Sequence, residues 1–193
     1  MHKPANMQPR LPDFVADSAT DMQKQVLQEI LTGPRGNLDG PFLGWIHSPE
    51  LAQHAQKLGA YCRYRTGLPL KLSELAILVT AAKWQSQAEW HIHLPIAIQA
   101  GLNPEIAEQL RTGATPAFQD DDERLIWQFA SELYAHKRVS DAVYNTMVER
   151  FGLNVVVNSV GLLGYYALVA MTLNVFNMRG VGQQQLPFPE PEF

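Results

Sequence analysis

The chain has 193 residues, 15 Lys+Arg against 19 Asp+Glu, a net charge of −4, one cysteine and 46% hydrophobic residues. That suits one soluble globular domain with a sizeable core. The dispersed, slightly acidic charge offers no basic stripe to phosphate backbones, so a nucleic-acid partner is not expected. Cys62 alone can close no disulfide within the chain, form no CxxC pair and build no multi-cysteine metal site, and it suits a reducing compartment.

The opening MHKPANMQPRLPDF is polar and proline-bearing, without the apolar run of a signal peptide, so residues 1–17 read as a tail and the location as cytoplasmic. Helix punctuation is dense and strand signals are scarce, which predicts an all-α fold. Ser18 precedes a helical pattern to about Leu31, with Met22, Val26, Leu27 and Ile30 on one face and Gly33-Pro34 as its stop. The stretch GPRGNLDGPFLGW reads as a loop. Ser48-Pro49-Glu50 supplies an N-cap, a first-position proline and an early acid for a helix towards Gly67, with Arg63 and Arg65 at its end.

Ser73 is expected to cap the helix ELAILVTAAKW, and after a break at Gln85-Ser86 a second helix runs from about Gln87 to Ala100. Asn103-Pro104-Glu105, the acidic run from Asp120 to Glu123, and Ser140-Asp141 open three more. From Phe151 to Met178 there is no charged residue, a run long enough to span a bilayer. Its asparagines, and its being the one such run in an amphipathic chain, favour a core helix from about Val155 to Phe176, buried on all sides and partly at a subunit interface, over a membrane span. The domain is thus read as 18–178. The Pro-rich tail 179–193 is expected to lack regular structure and to be available to a neighbouring subunit.

The chemistry concentrates in ELAILVTAAKWQSQAEWHIHLPIAIQAGL. Glu89 and His93 are four apart and share a helix face, Ser86 lies three before Glu89, and Glu74 on the preceding helix can reach the same spot. Two carboxylates and an imidazole in an apolar setting are the parts of a proton-transfer site. The bland reading is a surface i,i+4 pair, against which Trp84, Trp90, Ile92, Leu94 and Pro95 crowd the same region. Pro95 denies the His91 carbonyl its N–H and is expected to kink or open the helix near His93. His91 and His93 sit about 200° apart around a helix axis, so no metal centre is expected. Ser86 lacks a nucleophile-elbow GxSxG and reads as polar lining. Arg63 and Arg65 either anchor a substrate carboxylate or complement a helix dipole.

The run LSELAILVTAAKW through EWHIHLPIAIQAGL resembles the carboxymuconolactone decarboxylase family, which shares its all-helical fold with the alkylhydroperoxidase D proteins. The likeness is most specific over 58–112 and extends loosely from PFLGWIHSPELAQ to GLLGYYALVAMTLNVF. In the peroxidase branch the pattern is a Glu, a CxxC, and a His four residues after the second Cys; these positions fall on Glu74, Ser86, Glu89 and His93. Both thiols are missing, so dithiol peroxidase activity is not expected. The retained EW-x-x-H resembles the cysteine-free decarboxylase branch. That resemblance implies cofactor-free loss of CO₂ from a small cyclic carboxylic acid such as 4-carboxymuconolactone, in aromatic catabolism. His93 would supply the proton, Glu89 tune it and Glu74 relay or orient, with Ser86, Trp90, Arg63 and Arg65 binding substrate. It also implies a homo-trimer or homo-hexamer. The alternatives are a hydrolase, isomerase or residual peroxidase on the same scaffold, or a helical oligomer that binds a ligand without turnover.

Overall fold

The computed structural model describes residues 8–192. Among them there are helices and turns and no strand: α1 (Asp21–Thr32), α2 (Phe42–Trp45), α3 (Pro49–Tyr64), α4 (Leu70–Trp84), α5 (Gln87–Gln99), α6 (Pro104–Thr112), α7 (Asp121–His136), α8 (Asp141–Phe151) and α9 (Leu153–Val175). The first of these starts later than Ser18, which closes a 3₁₀ turn, Ala16–Ser18. Thr20 is the true cap, exchanging hydrogen bonds with Gln23 in a capping box. Asn103, Asp120 and Ser140 each accept a backbone N–H and start α6, α7 and α8, as their residue types predict.

The central element is α4, buried without interruption from Leu72 to Ala81 and packed against α5, α7, α9 and α6. It begins at Leu70 after Pro69, one turn earlier than expected, so Ser73 is interior and its hydroxyl donates to the Leu70 carbonyl at 3.0 Å. With every face apolar, no amphipathic edge marks its start. Gln85 adopts a left-handed φ of 47°, and Ser86 N–H reaches back to the Ala81 carbonyl at 2.9 Å. That reversal folds α5 back along α4. Helix α5 continues through Pro95 to Gln99, so the proline does not break it.

Packed on α4, α3, α8 and α5, α9 is the one helix among the described residues long and apolar enough to cross a membrane, and half of its most apolar window is buried in the fold. Asn158 is tied to the Thr66 carbonyl and to Asn154, and Thr172 accepts a 2.9 Å hydrogen bond from Trp45 Nε1. Trp45 belongs to α2, which lies inside the stretch read as a loop. Phe42 and Trp45 are buried, and this burial holds a turn too short to be stable alone. The C-terminal tail lacks regular structure and docks on its own chain: Gln87 exchanges hydrogen bonds with Phe188, Arg111 donates to Pro187, and Phe188 stands edge-on to Trp90 at 5.4 Å.

Candidate active site

The α4–α5 hairpin brings Glu74 and His93 together. Their contact is a 2.7 Å hydrogen bond between Glu74 Oε2 and His93 Nδ1, with 1% and 5% of the two residues exposed. A carboxylate only accepts, so Nδ1 carries the proton and Nε2 is left as the free lone pair. Desolvation holds the His93 pKa below its ordinary 6.5, and the hydrogen bond and charge of Glu74 pull it back up in part. The neutral, Nδ1-protonated imidazole is therefore the resting form at neutral pH.

Glu89 does not pair with His93. It is 1% exposed, and neither carboxyl oxygen has a hydrogen-bond partner among the described residues. Desolvation alone raises its pKa well above 4.5. An ionised carboxylate so placed would lose its hydration with no compensation, so the group is held as a neutral acid with a proton to donate. The spacing of four placed Glu89 and His93 on one face, but the partner that tunes His93 is Glu74.

Glu89 and His93 look into a chamber whose other walls are Arg63 of α3, Tyr165, Tyr166, Val169 and Leu173 of α9, and the segment carrying Arg35, Asp39, Gly40 and Pro41. Aromatic rings build much of it. Tyr166 stands edge-on to His93 at 5.0 Å, Tyr165 edge-on to Tyr166 at 5.3 Å, and Trp45 backs Tyr165 at 6.0 Å. Burial pushes the Tyr165 hydroxyl up to about 12 and raises that of Tyr166 well above its ordinary 10, so both remain phenols. The Tyr166 hydroxyl has no hydrogen-bond partner among the described residues. Arg35 and Arg63 form no ion pair with any carboxylate among the described residues. Two guanidiniums therefore border an acid and a base in a largely apolar chamber.

Other expected site residues lie elsewhere. Trp90 packs on Phe188 of the tail, away from the chamber. Arg65 is exposed beyond the end of α3. Ser86 is fully buried at the start of α5 with its hydroxyl unpartnered, and it is no part of the chamber wall. His91 turns outward towards Val181 and Gly180, opposite to His93, as the helical angle requires. Arg35, Tyr165 and Tyr166 were missed. Only the paired tyrosines inside an uncharged helix gave a signal, because a buried phenol needs a use for its hydroxyl. A larger hollow of about 370 Å³ lies beyond Leu173, between Trp84, Met178 and Pro189. It contains neither Glu89 nor His93, so the smaller chamber is where proton chemistry can occur.

Residues 49–132 match the Carboxymuconolactone decarboxylase (CMD) family. The chain carries a CMD domain. The matched span runs from the start of α3 into α7 and so contains Arg63, Glu74, Glu89 and His93, whereas Arg35 and the two tyrosines lie outside it. No curated protein gives a significant match to the chain. The chain has a single cysteine, Cys62, which is 1% exposed and whose thiol burial pushes up. With Ser86 and Glu89 where a CxxC would stand, the CMD domain here has no dithiol.

Proposed function

We propose that this CMD protein is a cofactor-independent lyase, or a related proton-transfer enzyme, acting on a small cyclic carboxylic acid such as a lactone acid. The observation that carries the reading is the partnerless, buried Glu89 carboxyl facing the same chamber as the Glu74-paired His93. In a decarboxylation the C–CO₂ bond breaks and its electron pair passes to the ring carbon, delocalised onto the conjugated carbonyl. Glu89 then delivers its proton to that carbon. Uptake of one proton from solvent, by way of the His93 Nε2 lone pair, restores Glu89, and the sum is a carboxylate plus a proton giving CO₂ and the protonated ring. The guanidinium of Arg63 is placed to stabilise the oxyanion as charge develops. Apolar walls disfavour the charged ground state and keep water away from the dienolate. Relative to the roles the resemblance implies, the proton comes from Glu89 rather than His93, and the carboxylate that accepts the His93 Nδ1 hydrogen bond is Glu74.

CO₂ release from 4-carboxymuconolactone and related lactone acids tests the reading. The expected result is turnover that falls by about 100-fold or more in His93→Gln and in Glu89→Gln, the usual scale for a lost acid or base. Turnover undiminished in both variants would sink the assignment. Saturable binding without turnover would favour a ligand-binding role.

The same reading includes self-association as a trimer or hexamer in the cytoplasm. What supports the association is the outer face of α9, where Val157, Val160, Met171 and Val175 are exposed at helical spacing. A stripe of that kind on one helix is characteristic of a contact surface.

A further inference from the structure

The chamber encloses only about 20 Å³. That holds a single water molecule, whereas small-molecule sites usually enclose about 300 Å³ or more. Some wall must move before a cyclic acid can enter. The helical walls are held by the core: Glu89 and His93 by the α4–α5 hairpin, and Tyr165 and Tyr166 by the ring series reaching Trp45.

The remaining wall is different in kind. Between the end of α1 at Thr32 and the start of α2 at Phe42 the chain has no helix. Gly36 and Gly40 take φ values of +69° and +99°, and a Cβ added to either would meet nothing within 4 Å. Having no Cβ, both glycines can move between positive and negative φ, and no neighbour fills the space where a Cβ would stand. Inside the segment the polar contact is local, from Asp39 N–H to Asn37 Oδ1 at 3.1 Å. Its apolar attachments to the domain are Leu38, partly buried against the core, and the buried Pro41; its polar attachment is Arg35, whose Nη2 approaches the Tyr165 hydroxyl at a long 3.4 Å and whose guanidinium lies 4.9 Å from the centre of the Phe42 ring. Arg35 Nε is buried with no hydrogen-bond partner among the described residues. A donor buried without an acceptor at the edge of a chamber is a vacancy for an anionic oxygen.

We propose that residues 35–41 form a strap that opens to admit substrate and closes when Arg35 grips the substrate's anionic oxygens. This rests on reading the chamber as a carboxylic-acid site, and it adds Arg35 to that site as the anchoring residue that couples binding to closure. Arg63, fixed on α3, meets the anion from the domain side; Arg35 meets it from the strap. A planar guanidinium engages such a group with two parallel donors, which an ammonium cannot do.

The test is amide hydrogen exchange over residues 36–40 in the full chain, with benzoate and 2-furoate as probes and benzamide as the neutral control of similar shape. Binding of each is measured in parallel by calorimetry. In the wild type a carboxylate probe is expected to slow exchange across the strap, and benzamide to leave it unchanged. Arg35→Ala is expected to bind benzoate roughly 10- to 100-fold more weakly, the scale of a lost charge-assisted contact, and to lose the slowing. Arg35→Lys should recover only part of the affinity. Equal affinity in Arg35→Ala, unchanged strap exchange at saturating probe, or no binding of either carboxylate would each overturn the proposal. The two readings separate cleanly: strap closure without CO₂ release from any lactone acid removes the reaction and keeps the strap, and CO₂ release with an unresponsive strap does the reverse.

Discussion

Glu74 and His93, nineteen residues apart in the chain, are joined by a buried 2.7 Å hydrogen bond across the α4–α5 hairpin. The bond fixes the imidazole tautomer and supplies the charge that partly offsets desolvation at His93. Glu74→Gln keeps an acceptor and removes the charge. Because that charge raises the His93 pKa, its loss is expected to move the acid limb of the rate profile to lower pH, followed by NMR titration of the ring. An unmoved limb would show that Glu74 only positions the ring.

His93 also ties stability to pH. Its folded pKa lies below 6.5, so the unfolded chain binds the proton first as pH falls. Its contribution is complete above pH 6.5 and is lost as pH falls from there through the folded value. In His93→Gln, melting followed between pH 7 and 5 is expected to show a shallower loss of stability than the wild type.

Glu89 acts in the opposite sense. Its folded pKa is raised above 4.5, so its contribution is complete below pH 4.5 and is lost as pH climbs towards the folded value. Glu89→Gln cannot ionise. The variant is expected to gain stability over the wild type progressively as pH rises above 4.5, read from paired thermal melts, at the cost of turnover. An equal gain at every pH would mean that Glu89 is not held protonated.

At Gly59, α3 passes close against the aromatic wall. A Cβ there would lie 2.1 Å from the Tyr165 hydroxyl oxygen and 2.7 Å from Arg35 Nη2. Tyr165 is 3% exposed and hemmed in by Trp45 and Tyr166, so it has little room to yield. Gly59→Ala is expected to destabilise the fold by about 1–3 kcal/mol, the scale of overpacking, and to weaken carboxylate binding through Arg35. Urea melts and benzoate calorimetry report the two effects.

The exposed face of α9 predicts self-association. Light scattering on the eluting protein should show a trimer or hexamer at micromolar concentration, and Val157→Glu, at 61% exposure in one subunit, should shift it to smaller species. A monomeric wild type would contradict the association.

Much of the fold was legible because its signals are local. Pro49, Asn103, Asp120 and Ser140 mark helix starts through chemistry acting within one turn. The start of α4 carries no sequence signal because its apolar residues surround the axis, and α2 carries none because burial of Phe42 and Trp45 holds it. In the site, Glu74, Glu89 and His93 stood out as ionisable groups in an apolar stretch. Which carboxylate meets His93 depends on how α5 lies on α4, a matter of packing that spacing along one helix does not reveal. Arg35, Tyr165 and Tyr166 reach the chamber from distant parts of the chain. Trp90 was drawn in by adjacency in sequence, yet its ring turns to Phe188.

In the chamber, Glu89 rests as a neutral acid beside a neutral His93. Infrared difference spectroscopy of wild type against Glu89→Gln at pH 7 addresses it directly, because a protonated carboxyl has a C=O stretch that shifts in D₂O and is well separated from carboxylate bands. This band is expected in the wild type and is expected to be absent from the variant. A difference spectrum showing loss of a carboxylate band instead would place a negative charge on Glu89 and contradict the assignment of the acid.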